Sequence, residues 1–125
     1  MSNSIIMDFE IVKTISAAQI LATYDLPVVD ANGNAYFLNP ARMLYINNMT
    51  NGAIYVSTLG VNGINCDLFS IAANTAMILD LCTNKTVEQG AFVPEHTRIF
   101  VRARYAGAPP TTGDVDVTVM YGRDN

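Results

Sequence analysis

Tryptophan is absent from the chain, histidine occurs once (His96), cysteine twice (Cys66 and Cys82), and lysine and arginine together only seven times. Each scarcity excludes something. Seven cations against eleven acids, a net charge of −4, leave too little positive charge to neutralise a phosphate backbone, so no nucleic-acid partner is expected. Two cysteines cannot build a disulfide framework and are read as buried free thiols. The longest apolar runs fall far short of the roughly 20 residues that span a bilayer, so no membrane partner is expected. The opening MSNSIIMDFE lacks the basic, apolar and small-residue regions of a secretory signal, which makes Asn48-Met-Thr and Asn84-Lys-Thr chance sequons. Only 14% of residues are charged, against about 25% in an average domain, while half are hydrophobic. A domain of 125 residues has a large surface to cover, so a shortage of charge implies an exterior partly covered by other chains.

Alternation is what the chain has in quantity. In Thr97–Tyr105, Ile99, Val101, Ala103 and Tyr105 share one parity, against Arg98, Phe100, Arg102 and Arg104. In Asp114–Tyr121, Val115, Val117, Val119 and Tyr121 alternate with Asp114, Asp116, Thr118 and Met120. A period of two with β-branched residues marks half-buried strands. The two runs, joined by AGAPPTTG (Ala106–Gly113), predict an antiparallel hairpin with Val101 opposite Val117. On its outer side Arg104 would face Asp114 and Arg102 would face Asp116, pairs of about 0.2–1 kcal/mol each that would fix the register.

Upstream, residues 5–15 read as a first strand, with Met7, Phe9 and Ile11 alternating with Asp8 and Glu10. Gln19–Tyr24 is read as strand in preference to a short helix, because Thr23, Tyr24 and nearby Pro27 disfavour helix continuation. Asn32-Gly33 supplies a turn with positive φ, and Tyr36–Leu38 a short apolar run. Strands follow at Arg42–Asn47, Ala53–Leu59 and Thr75–Cys82, with Ile64–Ile71 a weaker strand or connecting loop, punctuated by Asn-Gly at Asn51-Gly52 and Asn62-Gly63. About eight short strands at spacings of roughly 8–12 residues predict one all-β, antiparallel sandwich over residues 1–125. A jelly roll of two Greek keys suits that number. An immunoglobulin-like sandwich is the competitor, without its Cys-Trp-Cys pattern.

No constellation carries catalysis. Any Ser-His-Asp or Cys-His arrangement must pass through His96, which stands at a strand entry, and no G-x-S-x-G elbow accompanies it. Asp114 and Asp116 place two carboxylates on one strand face, but partnership with Arg102 and Arg104 accounts for them better than a cation does. Asp67 and Asp80 are isolated acids, the latter expected to bond turn backbone. Cys66, Cys82 and His96 are one ligand short of a structural zinc site. Gly60, Gly63, Gly90, Gly107 and Gly113 punctuate strands, and none opens a helix to cradle phosphate. Tyr36, Phe37, Tyr45, Tyr55, Tyr105 and Tyr121 could line a sugar-binding groove, although strand aromatics more often serve as core. The expectation is therefore a non-enzyme without catalytic, cofactor or metal residues.

Met77–Lys85 (MILDLCTNK), Phe92–Arg102 (FVPEHTRIFVR) and Pro109–Gly122 (PPTTGDVDVTVMYG), preceded by Tyr45–Gly60, resemble small virion proteins of tailed bacteriophages. In those proteins an apolar strand, a loop, a P-x-x-T strand entry and a terminal TGDVxVxVxYG hairpin follow one another. The resemblance implies a structural protein of the particle, a capsid decoration (cement) protein or a neck or tail component. It implies major capsid, neck or tail subunits as partners, self-association into a homo-oligomer, and a virion location after synthesis in the host cytoplasm. The contacts expected are Ser4–Val12, Thr83–His96 and Ala106–Gly113. A carbohydrate- or receptor-binding module is the alternative, since a sandwich fold does not fix function.

Overall fold

Period-two alternation folds this chain into two antiparallel sheets. The structure, a computed structural model, describes residues 5–58, 67–80 and 93–124. Its strands are β1 (Ile5–Phe9), β2 (Lys13–Ser16), β3 (Met43–Asn48), β4 (Ile54–Ser57), β5 (Phe69–Ile71), β6 (Thr75–Asp80), β7 (Phe100–Ala103) and β8 (Asp114–Asp124). The larger sheet runs β1-β8-β3-β6, with β2 also on β8, and the smaller runs β5-β4-β7. Residues 27–29 join the two sheets along one side: Val28 N–H donates to the Ile99 carbonyl at 2.9 Å, and Thr14 and Val29 exchange backbone bonds of 2.8 and 3.1 Å.

The pairings are nested. The β1/β2 row lies on β8, residues 27–29 on β7, β3 on β6, and β4 on β5. That is one long antiparallel ribbon rolled up on itself, the jelly-roll arrangement, and the nesting separates it from an immunoglobulin sandwich. Rolling carries β7 and β8 into opposite sheets. The expected hairpin of Thr97–Tyr105 with Asp114–Tyr121 does not form: β7 pairs with β4, and β8 pairs with β1, β2 and β3. Val101 and Val117 are not ladder partners. Both point into the core from opposite sheets.

The inward parities of β7 and β8 are as the sequence spells them. Ile99, Val101 and Ala103 are buried, and so are Val115, Val117 and Val119, together with Leu44, Ile46, Ile54 and Val56. Burying one such Val, Leu or Ile contributes roughly 1.5–3 kcal/mol, which is why these positions set the register. Gln19–Tyr24 is not a strand. Ala17–Gln19 forms a single 3-10 turn, closed by Ile20 N–H on the Ala17 carbonyl at 3.1 Å, with the Gln19 Oε1 accepting from Ser16 N and Oγ. The turn at Asn32-Gly33 forms as expected, with Gly33 at φ +79° and Asp30 Oδ1 accepting from Asn32 and Asn34 N–H.

Two corners carry the chain between sheets. After β3, the buried Asn48 amide donates to the Gly52, Ile71 and Ala72 carbonyls, and its Oδ1 accepts from Thr50 N–H and Oγ1. Between β7 and β8, Asn51 fastens Ala106–Gly113 through Thr111 and Thr112 N–H and the Thr111 hydroxyl. Gly113, at φ +86°, lies so close to Met49 that a Cβ would collide with the Met49 carbonyl. Only glycine fits that crossing.

Candidate functional site

Three features stand apart from plain packing: the outer faces of the two sheets and a groove at one end of the smaller one. On β1 the alternation runs against burial. Phe9 pairs with Met120 and Met7 with Gly122, both on the solvent side of the larger sheet, where Phe9 is 63% and Met7 42% exposed. Met120 pairs with Met43, and Tyr45 lies between Thr118 and Ile78, the last 58% exposed. Met7, Phe9, Met43, Tyr45, Ile78 and Met120 thus share one apolar outer face.

Inversion of β1 has a structural cause. Glu10 faces inward beside outward Phe9, and a bulge between β1 and β2 shifts the register on β8 by one residue, so that Lys13, 0% exposed, also points between the sheets. Their ion pair spans 3.1 Å. The Glu10 carboxylate also accepts from Leu38 N–H (3.1 Å), Asn39 N–H (2.8 Å) and the Asn39 side-chain amide (3.2 Å), and the Lys13 ammonium lies 5.7 Å from the Phe37 ring centroid. This clamp fixes residues 37–39 against the bulge.

The outer face of the smaller sheet alternates arginine with aromatic rings. Arg102 lies over Tyr55 and Tyr24 (4.5 and 5.6 Å to the centroids), Arg104 over Tyr105 and Tyr55 (5.2 and 5.7 Å), and Arg98 over Phe100 and Tyr36 (5.1 and 5.3 Å). Asp67 anchors the middle. Arg102 Nε and Nη2 donate to its two carboxylate oxygens at 3.0 and 2.7 Å, and the Tyr24 hydroxyl donates to Oδ1. The bidentate guanidinium holds the Asp67 carboxyl below its usual range, and Asp67 in turn raises Arg102. Burial, then the bond to Asp67, pushes the Tyr24 phenol well above its ordinary value. Arg102 and Arg104 do not meet Asp116 and Asp114, as the sequence suggested. They lie on the other sheet, with Arg104 bonded to the Ser70 hydroxyl at 3.1 Å. Asp114 and Asp116 stay together on the outer face of β8, where burial and then the Asp116 charge raise the Asp114 carboxyl.

An open groove of about 540 Å³ continues from this face at its end. Tyr36, Arg98 and His96 line it with the Thr58 and Thr97 hydroxyls, beside an apolar rim of Leu68, Val93 and Pro94. His96 adopts φ +68°, held by its N–H on the Phe37 carbonyl at 2.7 Å, while Phe37 N–H donates to the Thr97 carbonyl at 2.9 Å. Among the described lining residues no serine, cysteine or carboxylate accompanies His96.

The other candidates separate. Tyr36, Tyr55 and Tyr105 belong to the arginine face, Phe37 to the core, and Tyr45 to the opposite outer face; Tyr121 pairs with Asp8. Asp80 ends β6 opposite Met43. Asp67 is no isolated acid but the hub of Tyr24 and Arg102. Neither partner had a sequence signal, since they lie 43 and 35 residues away. Cys66, Cys82, Gly60, Gly63 and Gly90 lie outside the described residues, as do Ser4 and most of Thr83–His96. Among the described residues no group of three or more His, Cys, Asp or Glu side chains could hold a metal, and no helix is long and apolar enough to cross a membrane.

Comparison of the chain with protein-family models, with curated proteins and with solved structures found no match.

Proposed function

We propose that this chain is a non-enzymatic structural protein of a bacteriophage virion, a capsid decoration subunit that binds and stabilises its neighbours. The observation that carries the reading is the outer face of the larger sheet. Met7 and Phe9 sit on the solvent side of β1 while Glu10 and Lys13 point inward, which is the reverse of what a solitary sandwich needs. Methionine and aromatic residues are enriched at protein interfaces, and the unbranched Met side chain adapts to a facing surface. A neighbour that covers this face stabilises the folded form by association, and the shortage of surface charge lowers the desolvation cost of that contact. The stretches of Met77–Gly122 that resemble phage virion proteins supply the kind of assembly.

An antibody raised against the purified chain tests this on density-gradient fractions of phage particles. The chain is expected in the particle band, and the double variant Phe9→Asp/Ile78→Asp is expected to leave it while keeping its circular dichroism spectrum. A chain found only among unassembled proteins at the top of the gradient refutes the reading.

A further inference from the structure

We propose that the groove at the end of the smaller sheet binds a carboxylate-bearing sugar, with Arg98 taking the carboxylate and Tyr36 the sugar ring. Of the three arginines on this face, two have their donors engaged. Arg102 is bidentate to Asp67, and Arg104 bonds Ser70. Arg98 is held between Phe100 and Tyr36 by ring contacts, and among the described residues no carboxylate or hydroxyl bonds its guanidinium. It is therefore positioned where the groove opens, with no counter-charge among the described residues.

The ligand class follows from what surrounds it. A lone guanidinium matches one planar, singly charged carboxylate bidentately, whereas a phosphate dianion usually gathers more cations or a nest of backbone N–H groups. Tyr36, 47% exposed, offers a ring on which the C–H face of a pyranose can lie. Thr58, Thr97 and His96 add hydroxyl and imidazole groups at the groove wall, suited to sugar hydroxyls. The left-handed backbone at His96 fixes that wall, and a volume of about 540 Å³ lies within the range of small-ligand sites. The proposal does not depend on the virion reading, since it uses the opposite sheet.

Amide shifts of the full chain titrated with glucuronic acid, its neutral methyl ester, glucose and acetate test the proposal. Glucuronate is expected to shift Tyr36, Thr58, Thr97 and Arg98, with the ester, glucose and acetate each weaker by at least about tenfold. Arg98→Gln should remove that preference for glucuronate over its ester. The wild-type comparison decides the matter even if the variant fails to fold. Equal binding of the ester removes the role of charge, and equal binding of acetate removes the sugar. Shifts confined to another region, or none at millimolar glucuronate, overturn the site.

Discussion

Replacing Glu10 by glutamine should cost this fold far more than replacing Lys13 by methionine. The two side chains are 2% and 1% exposed and share one ion pair of 3.1 Å. Their other partners differ. Among the described residues Lys13 has only the Phe37 ring besides Glu10, while Glu10 keeps three N–H donors from Leu38 and Asn39 at 2.8 to 3.2 Å. Glu10→Gln therefore strands a buried ammonium, a loss of about 3–5 kcal/mol that a ring contact offsets only in part. Lys13→Met leaves a carboxylate that three donors still solvate, and its unbranched chain refills the space, so the cost stays below about 2 kcal/mol. With an unfolding entropy of about 0.26 kcal/mol per kelvin for 125 residues, Glu10→Gln lowers Tm by about 11–19 °C. Urea unfolding of both variants measures the difference directly. A cost for Glu10→Gln below about 1 kcal/mol, or one smaller than that of Lys13→Met, refutes the argument that this pair is sealed from water.

Gly113→Ala should destabilise by about 3 kcal/mol or more, because a Cβ meets the Met49 carbonyl at a positive φ; denaturant melts check it, and a neutral effect means the corner can relax. Asp67 has its folded pKa held below the unfolded value, so its contribution is present above about pH 4 and is lost as pH falls through the folded value. Because the pair is partly exposed, that contribution is about 0.2–1 kcal/mol, and Asp67→Asn should flatten the acid limb of the stability profile by that amount. Tyr24 behaves in the opposite sense. Its folded pKa is raised, so its share of stability is full below about pH 10 and is lost as pH rises through the folded value; Tyr24→Phe should remove that alkaline loss in thermal melts.

The strands β7 and β8 and their inward parities were legible, because alternation is a local property and their buried Val and Ile rows follow from it directly. Partnership was not. Arg102 and Arg104 beside Asp114 and Asp116 satisfy the grammar of a hairpin, yet the rolled ribbon sends the two strands to opposite sheets. The eight-residue, proline-containing Ala106–Gly113 is a crossing, not the tight loop that commonly joins paired strands. Gln19–Tyr24 misleads for another reason: Tyr24 leaves the strand pattern to cover Phe100 and reach Asp67, contacts made only after the sheets form. The outer apolar face was hidden by the same limit. Met7 and Phe9 alternate as core residues do, and only the inward Glu10, with the bulge that also brings Lys13 inward, reveals that they face solvent.

Hydroxyl-radical oxidation of methionines, compared between the free chain and the assembled particle, tests the central claim most directly. Protection of Met7, Met43 and Met120 on assembly, with inward-facing Met77 little changed, is the predicted result. Oxidation of the outward three at the same rate in both states would mean that no neighbour covers this face.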